Sequence, residues 1–358
     1  MVTLVDWGMV SVEAAEDDRS GGFKWMANIV VSVQFGLRLP NSGQLAEPNN
    51  ILTLARLAEQ AGYHSVWVHD HILWSAKQAA AHPTIGIPNN KINTNFFESI
   101  TTLAFLAGAT TDVKLGVAAI ILPLRQPILL SKQLSCLDVL SSGRLLVGIV
   151  PGAPKITISE FEALNVDYGL RGRITDDYLR AVRKIWSENP ASYDGQYVRF
   201  RDIEMMPKPV RGRIPLLIGG GEKGISEKAL RRVIEYGDGW IPAYLTPEEL
   251  REGILRIKQG FSIKGRPDQP IIVHEMFIAI REQTEIPTSY KNFLQSVFGS
   301  DQEGIRRSLI GNTSMIINKL QQYVDTGVDI TELKFIAKDV NDMIEMVKIF
   351  AREVAPSF

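Results

Sequence analysis

A (β/α)8 barrel in the α/β class is the fold this sequence predicts, and three observations predict it. Eight strand-like runs alternate with helix-like runs along most of the 358 residues. The third run, residues 113–122, reads V-K-L-G-V-A-A-I-I-L; so β-branched and uncharged a stretch is the pattern of a strand buried on both faces. The turn after the first strand, Gly36-Leu37-Arg38-Leu39-Pro40, is not the Gly-rich phosphate turn that a doubly wound open sheet would place there. Eight strands with crossover helices in a chain of this length favour the closed barrel.

The elements follow in order. The first strand is residues 29–37, and a loop with Pro40, Asn41 and Gly43 leads to a helix over 50–61. Leu52, Ala55, Leu57, Ala58 and Ala61 recur there at helical spacing, and Gly62 caps its end. The second strand, 65–68, is followed by a polar loop rich in Asn and Pro and a helix over 96–110. After the third strand, Arg125 stands between Pro123 and Pro127, a stiff loop at the end where α/β barrels carry their chemistry. A helix over 128–140 and the turn Ser141-Ser142-Gly143 lead to the fourth strand, 145–150, and its helix, 174–186. Residues 190–213 interrupt the alternation; Asp194-Gly195 with Tyr197, Val198 and Phe200 reads as a hairpin outside the barrel. The fifth strand is 215–218 with a helix over 225–236, and the sixth is 239–243 with a helix from Pro247. The seventh is 271–280 and the eighth 332–336, with a last helix over 340–354. Residues 281–312, ahead of a helix over 315–326, have room for a helix of their own at 290–298 and suit a lid. The expected organisation is one barrel domain, 28–358, with insertions at 190–213 and 281–312. Residues 1–27, with clustered Glu13, Glu16, Asp17 and Asp18 before Ser20-Gly21-Gly22, form a peripheral extension.

Composition narrows the function classes. The chain is 45% hydrophobic and 22% charged with a formal net charge of −1, which gives neither nucleic acid nor an anionic membrane an evident hold. Cys136 is the single cysteine, so no internal disulfide forms and a reducing, cytoplasmic setting is expected. No apolar stretch reaches the roughly 18 residues of a membrane span, and the N-terminus lacks the basic start and apolar core of a signal peptide.

Several residues at the expected strand ends carry chemistry. His69-Asp70-His71 closes the second strand. It reads either as a polar strand end bonded to its own loop or, since H-x-H sets two imidazoles on one side of an extended segment, as part of a metal site. A metal hydrolase would need further histidines after the fifth or sixth strand, and the five histidines, His64, His69, His71, His82 and His274, offer none there. Trp74 in the same loop is a substrate contact or a loop anchor. Gly219-Gly220-Gly221 precedes a helix, so its N–H groups suit a phosphate, or make a plain βα turn. Arg171 and Arg173, at the start of the helix that follows the fourth strand, are phosphate contacts or solvated side chains. Ala118-Ala119 by itself reads as a tight barrel layer.

Ordered stretches tie these residues together. They are Q-F-G-L-R-L-P-N-S-G, A-E-Q-A-G-Y-H-S-V-W-V-H-D-H, L-A-F-L-A-G-A-T-T-D-V-K-L-G-V and R-Q-P-I-L-L-S-K-Q-L-S-C-L-D-V-L-S-S-G-R-L-L-V-G, then E-F-E-A-L, R-G-R-I-T-D-D-Y-L, P-L-L-I-G-G-G and Y-G-D-G-W-I-P. In this order, from about Val33 to Ala243, the chain resembles the luciferase-like monooxygenase superfamily, most of all its branch using the deazaflavin coenzyme F420. The resemblance implies a cytoplasmic flavoprotein-type oxidoreductase, expected as a homodimer, acting on a small-molecule substrate. F420 would exchange a hydride with that substrate. The alternatives are an FMNH2-dependent monooxygenase and a non-catalytic flavin-binding protein. It further implies His71 as the imidazole at the reactive ring edge, acting with Trp74; Ala118-Ala119 as a cis-bonded bulge behind the ring; Gly219, Gly220, Gly221 and one of Arg171 and Arg173 at the phosphate; and Arg125 with Trp74 toward the substrate. The chain departs from the family after the fourth strand, where Pro151-Gly152-Ala153-Pro154 replaces the usual flavin-phosphate arginine and offers no acidic catalytic residue. That departure implies an unphosphorylated, fairly apolar substrate.

Overall fold

The computed structural model describes residues 33–81, 94–153, 156–221, 223–282 and 285–358. Its strands are β1 (Gln34–Arg38), β2 (Ser65–Val68), β3 (Lys114–Ile121), β4 (Leu145–Val150), β5 (Ala191–Asp194), β6 (Arg199–Ile203), β7 (Leu216–Gly219), β8 (Gly239–Ile241), β9 (Ile271–Ile280), β10 (Leu309–Gly311) and β11 (Ile330–Phe335). Its helices are α1 (Pro48–Gln60), α2 (Ala76–Ala81), α3 (Ser99–Ala107), α4 (Pro127–Leu140), α5 (Ile158–Ala163), α6 (Arg171–Ser187), α7 (Glu227–Tyr236), α8 (Pro247–Ile263), α9 (Thr288–Phe298), α10 (Asp301–Arg306), α11 (Thr313–Val324) and α12 (Val340–Ile349).

Eight strands pair in parallel in the order β9-β11-β1-β2-β3-β4-β7-β8, and β8 returns to β9 to close the barrel. Long β9 serves three neighbours. Ile271 and Ile272 pair with β8, Val273 to Ile278 with β11, and Ile278 to Ile280 with the short β10. The antiparallel β5–β6 pair stands apart from the barrel sheet. Asp177 of α6 clamps this hairpin, accepting from Tyr193 Oη at 2.7 Å and from the Tyr197 backbone N–H at 2.7 Å.

The barrel interior is packed rather than hollow. Trp67, Ala118, Leu146, Leu217, Ile241, Val273 and Ile330 form one cluster inside the ring of strands. Trp67 is fully buried because Gly36 and Gly116 make room on both neighbouring strands; a Cβ on either would run into its indole. The larger apolar cluster lies between strands and helices and includes Leu37, Leu54, Leu103, Leu115, Leu134 and Leu179.

Helix boundaries have local causes. In α4, Pro127 sits in the first turn, where a missing N–H costs nothing, and the Gln126 side chain accepts from Leu129 N–H. In α8, Thr246 and Glu249 form a reciprocal capping box. The helix expected over 96–110 is shorter, because Glu98 caps it at Ser99 and Gly108 ends it. The helix expected from residue 174 begins instead at Arg171. Four short elements, β10, α2, α5 and α10, had no periodicity long enough to read. The N-terminal extension 1–27, the start of the expected first strand at 29–32, and Pro154 lie outside the described residues.

Candidate active site

The C-terminal ends of the barrel strands bring two polar clusters to one mouth. On the β2–β4 side, the polar segment after β2 divides its tasks residue by residue. Buried Asp70 accepts from Ser99 Oγ at 2.7 Å and from Ile121 N–H at 3.1 Å, and it pairs with the Arg125 guanidinium. Arg125 also reaches Glu98 Oε1 at 2.8 Å. Burial works against the charge on Arg125, but these two carboxylates outweigh it and raise its pKa. This ion-paired knot ties the loops after β2 and β3 together.

His71 points elsewhere. Its Nδ1 lies 2.7 Å from Glu160 Oε2, and Glu160 is completely buried. The other carboxylate oxygen accepts from the backbone N–H groups of Ile72 at 2.8 Å and Leu73 at 3.1 Å. An ionised carboxylate can satisfy all three contacts, with the imidazole proton on Nδ1. The ring is held between Trp74, at 4.5 Å between centroids, and Phe96, at 5.3 Å. Among the described residues Nε2 has no hydrogen-bond partner. Glu160 lies in α5, within the E-F-E-A-L stretch, ten residues past the end of β4. An acidic residue of the β4–α6 connection therefore does reach the mouth, although it is not in the segment directly after β4.

The peptide between Ala118 and Ala119 is cis, and the β3–β4 register shifts between Val117 and Ile120. Gly148 of β4 makes the shift possible: a Cβ there would stand 2.7 Å from Val117 O and 3.0 Å from Ala119 Cβ. Ala119 is half-buried and Ala118 buried, so only methyl groups line this stretch. After β7, Gly220 and Gly221 have φ of +130° and +109°, values that favour glycine, and Trp240 Nε1 donates to Gly220 O at 3.1 Å. At the start of α6, Arg171 lies over the Tyr168 ring and donates to Tyr168 O at 3.0 Å, whereas Arg173 is exposed. Arg232 of α7 reaches Gly172 O at 3.1 Å, which seats the first turn of α6 beside the helix that follows the three glycines.

The other side of the mouth is built from strand residues. Arg38, at the end of β1, is buried and crosses the barrel interior. It donates to Ala118 O at 3.1 Å, contacts Glu275 Oε2 of β9 at 2.5 Å and pairs with Glu332 of β11. Glu275 and Glu332 are register partners on adjacent strands, so two carboxylates share one cation. Tyr244 donates to Glu275, and Lys334 Nζ lies 3.1 Å from His69 Nε2, 3.5 Å from Tyr244 Oη and 3.8 Å from Glu275 Oε1. Burial, with Glu275 close by, holds the Glu332 carboxyl far above the usual carboxylate range despite Arg38. Burial likewise lowers the Lys334 ammonium, against the pull of Glu275. Beside this layer a cavity of about 80 Å³ is lined by Arg38, His69, Lys334, Phe277, Phe293 and Phe335, among others.

The structure thus gathers His71, Trp74, Ala118, Ala119 and Arg125 at neighbouring strand ends. It leaves Gly219–Gly221 and the two arginines of α6 on the β7 side. His69 and His71, two residues apart in sequence, belong to different clusters. His64 and His274, whose pKa values burial lowers to about 4 and about 3, are neutral core histidines. Among the described residues no three His, Cys, Asp or Glu side chains group as a metal set. Glu160, Arg38, Glu275, Glu332, Tyr244 and Lys334 were not singled out in the sequence. Glu160 and Arg38 leave a trace there, each within a stretch that carries the family resemblance.

The profile of the luciferase-like monooxygenase family matches residues 28–297. An uncharacterised protein of Mycobacterium tuberculosis is 31% identical over 224 residues, covering 61% of this chain and 76% of its own. An FMNH2-dependent dimethylsulfone monooxygenase of Pseudomonas putida is 32% identical over 163 residues, 45% of this chain and 42% of that enzyme. Among solved structures, an F420-dependent secondary alcohol dehydrogenase holding an F420–acetone adduct superposes with a TM-score of 0.74 at 17% identity, covering 90% and 98% of the two chains; at that identity the likeness shows the fold. With the closed parallel barrel and a family match over most of its length, the chain belongs to the luciferase-like monooxygenase family of oxidoreductases.

Proposed function

We propose that this protein is an oxidoreductase that uses coenzyme F420 on a small, fairly apolar organic substrate. The observation that carries the reading is the His71–Glu160 pair at the mouth, beside a strand end lined only by methyl groups. The residues present fit a flat tricyclic cofactor. The small side chains of Ala118 and Ala119 leave the backbone open to close approach, and Gly220 and Gly221 shape a turn into which side chains do not project. When bound, F420 supplies hydride transfer at its C5.

The chain's own residues do the rest. Glu160 fixes the imidazole through Nδ1, so His71 offers Nε2 to accept or return the substrate proton. Trp74 and Phe96 hold the ring in place and screen it from water. The backbone after β7, helped by Arg171 or Arg173, receives the cofactor phosphate. Arg125 sets the loop that covers the substrate, through Asp70 and Glu98.

A second reading, an FMNH2-dependent monooxygenase, is supported by the identity shared with the dimethylsulfone enzyme. The deciding experiment is turnover with each cofactor and a panel of small secondary alcohols and carbonyl compounds. Bleaching or recovery of deazaflavin absorbance that fails in His71→Ala supports the F420 reading. Oxygen uptake with FMNH2 and no reaction with F420 replaces it by the second. Binding of either cofactor with no turnover for any substrate makes the protein a carrier and overturns both.

A further inference from the structure

We propose that the cavity between the ends of β1, β9 and β11 is a substrate subsite that takes the carboxylate of a small, apolar-bodied acid, with the Lys334 ammonium holding the acid group. This names a substrate class for the site above and rests on that reading.

The geometry carries it. Lys334 lines the cavity, and its side chain is 12% exposed. Its ammonium has three donors. Among the described residues, only His69 Nε2 at 3.1 Å accepts at a good distance; Tyr244 Oη is at 3.5 Å and the nearest carboxylate oxygen is 3.8 Å away. A buried ammonium with so loose a set of acceptors is costly unless an anion completes it. The nearby carboxylates are otherwise engaged: Glu275 by Arg38 and Tyr244, Glu332 by Arg38.

The walls set the other half of the class. Phe277, Phe293 and Phe335 with Leu39 and Met343 line the cavity, and the Lys334 ammonium lies 5.2 Å from the Phe277 ring centroid. A body of a few carbons fits about 80 Å³, whereas a sugar or a second charge would strand polar groups against the phenyl rings. Phe293 comes from α9, so this wall belongs to the segment between β9 and β10 rather than to the barrel.

The test uses the full-length protein without cofactor. Binding of acetate, butyrate and butyramide is measured by saturation-transfer NMR. The expected result is that butyrate binds at least ~10-fold more tightly than butyramide, a difference of about 1.4 kcal/mol, and that Lys334→Met removes this preference. Equal affinity for acid and amide, or a preference unchanged in Lys334→Met, overturns the proposal. If Lys334→Met does not fold, Phe293→Ala takes its place: butyrate should weaken relative to acetate, and an unchanged ratio overturns the proposal. Cofactor titration of the same samples separates the two readings. Cofactor binding without butyrate binding defeats the subsite alone, and butyrate binding without either cofactor defeats the F420 reading alone.

Discussion

The two sides of the barrel mouth solve the same problem in opposite ways. On the β2–β4 side the charged groups sit on connecting segments: Asp70, His71, Glu98, Arg125 and Glu160 all follow a strand, and backbone N–H groups satisfy much of their charge. On the β1–β9–β11 side Arg38, Glu275, Glu332 and Lys334 sit on the strands themselves, and side chains satisfy one another inside the barrel. The difference teaches where to look for chemistry and where for architecture. Loop-borne groups with backbone partners can be changed without unfolding the barrel. Strand-borne charges buried in the interior hold the barrel's upper layer, so changing them tests stability first.

The largest effect is expected at Arg38. Replacing it with Met leaves Glu275 and Glu332 facing each other without their shared cation. Breaking a buried pair in this way costs about 3–5 kcal/mol, measured as a lower midpoint in urea. A loss below about 1 kcal/mol would mean that the strand-borne cluster is no more structural than a surface pair. The opposite signature is expected at His71: turnover falls at least ~100-fold in His71→Ala, with the thermal midpoint nearly unchanged. Glu160→Gln can still accept from the Ile72 and Leu73 N–H groups but loses its charge toward the imidazole. It should lower turnover by roughly tenfold, about 1.4 kcal/mol of lost charge support for the imidazole. A large drop in stability in either variant would erase the contrast between the two sides.

A smaller effect sharpens the role of the methyl-lined strand end. In Ala119→Leu the longer side chain leaves the half-buried site toward the mouth, and cofactor affinity should fall about tenfold, ~1.4 kcal/mol; unchanged affinity would move the ring elsewhere. An effect of similar size tests buried charge away from the mouth. Asp329, just before β11, accepts from Ile272 N–H at 2.7 Å, and burial raises its pKa to about 6. A raised acid stabilises the fold at low pH, and that stability is lost as pH rises from its unfolded value toward 6. Asp329→Asn keeps an acceptor without the charge. It should therefore gain roughly 1–2 kcal/mol over the parent above pH 7 and nothing near pH 4, by urea denaturation at the two pH values.

The barrel is legible in the sequence because most of its strands are largely apolar and several of its helices amphipathic, so both periods survive without tertiary information. All eight barrel strands fall within a few residues of their expected positions. The loop-borne side of the mouth was legible in part: His71, Trp74, Ala118, Ala119 and Arg125 stand together. The guanidinium of Arg125 is engaged by Asp70 and Glu98, a pairing across 55 and 27 residues that no spacing announces. Glu160 was hidden for the same reason, 89 residues from its imidazole. The strand-borne side was hidden more deeply. Glu275 looks like a lone carboxylate in an apolar run and Glu332 like a carboxylate spaced two residues from Lys334, and only the register that sets β11 beside β9 shows that they face one cation.

The central claim, that a deazaflavin lies at this mouth, is tested most directly by absorbance titration of the purified protein with F420 and, separately, with FMN. Saturable binding of F420 at one site per chain is expected, weakened about tenfold by Ala119→Leu and largely kept in Lys334→Met. Saturable binding of FMN alone would contradict the choice of cofactor, and binding of neither would contradict the account of the mouth itself.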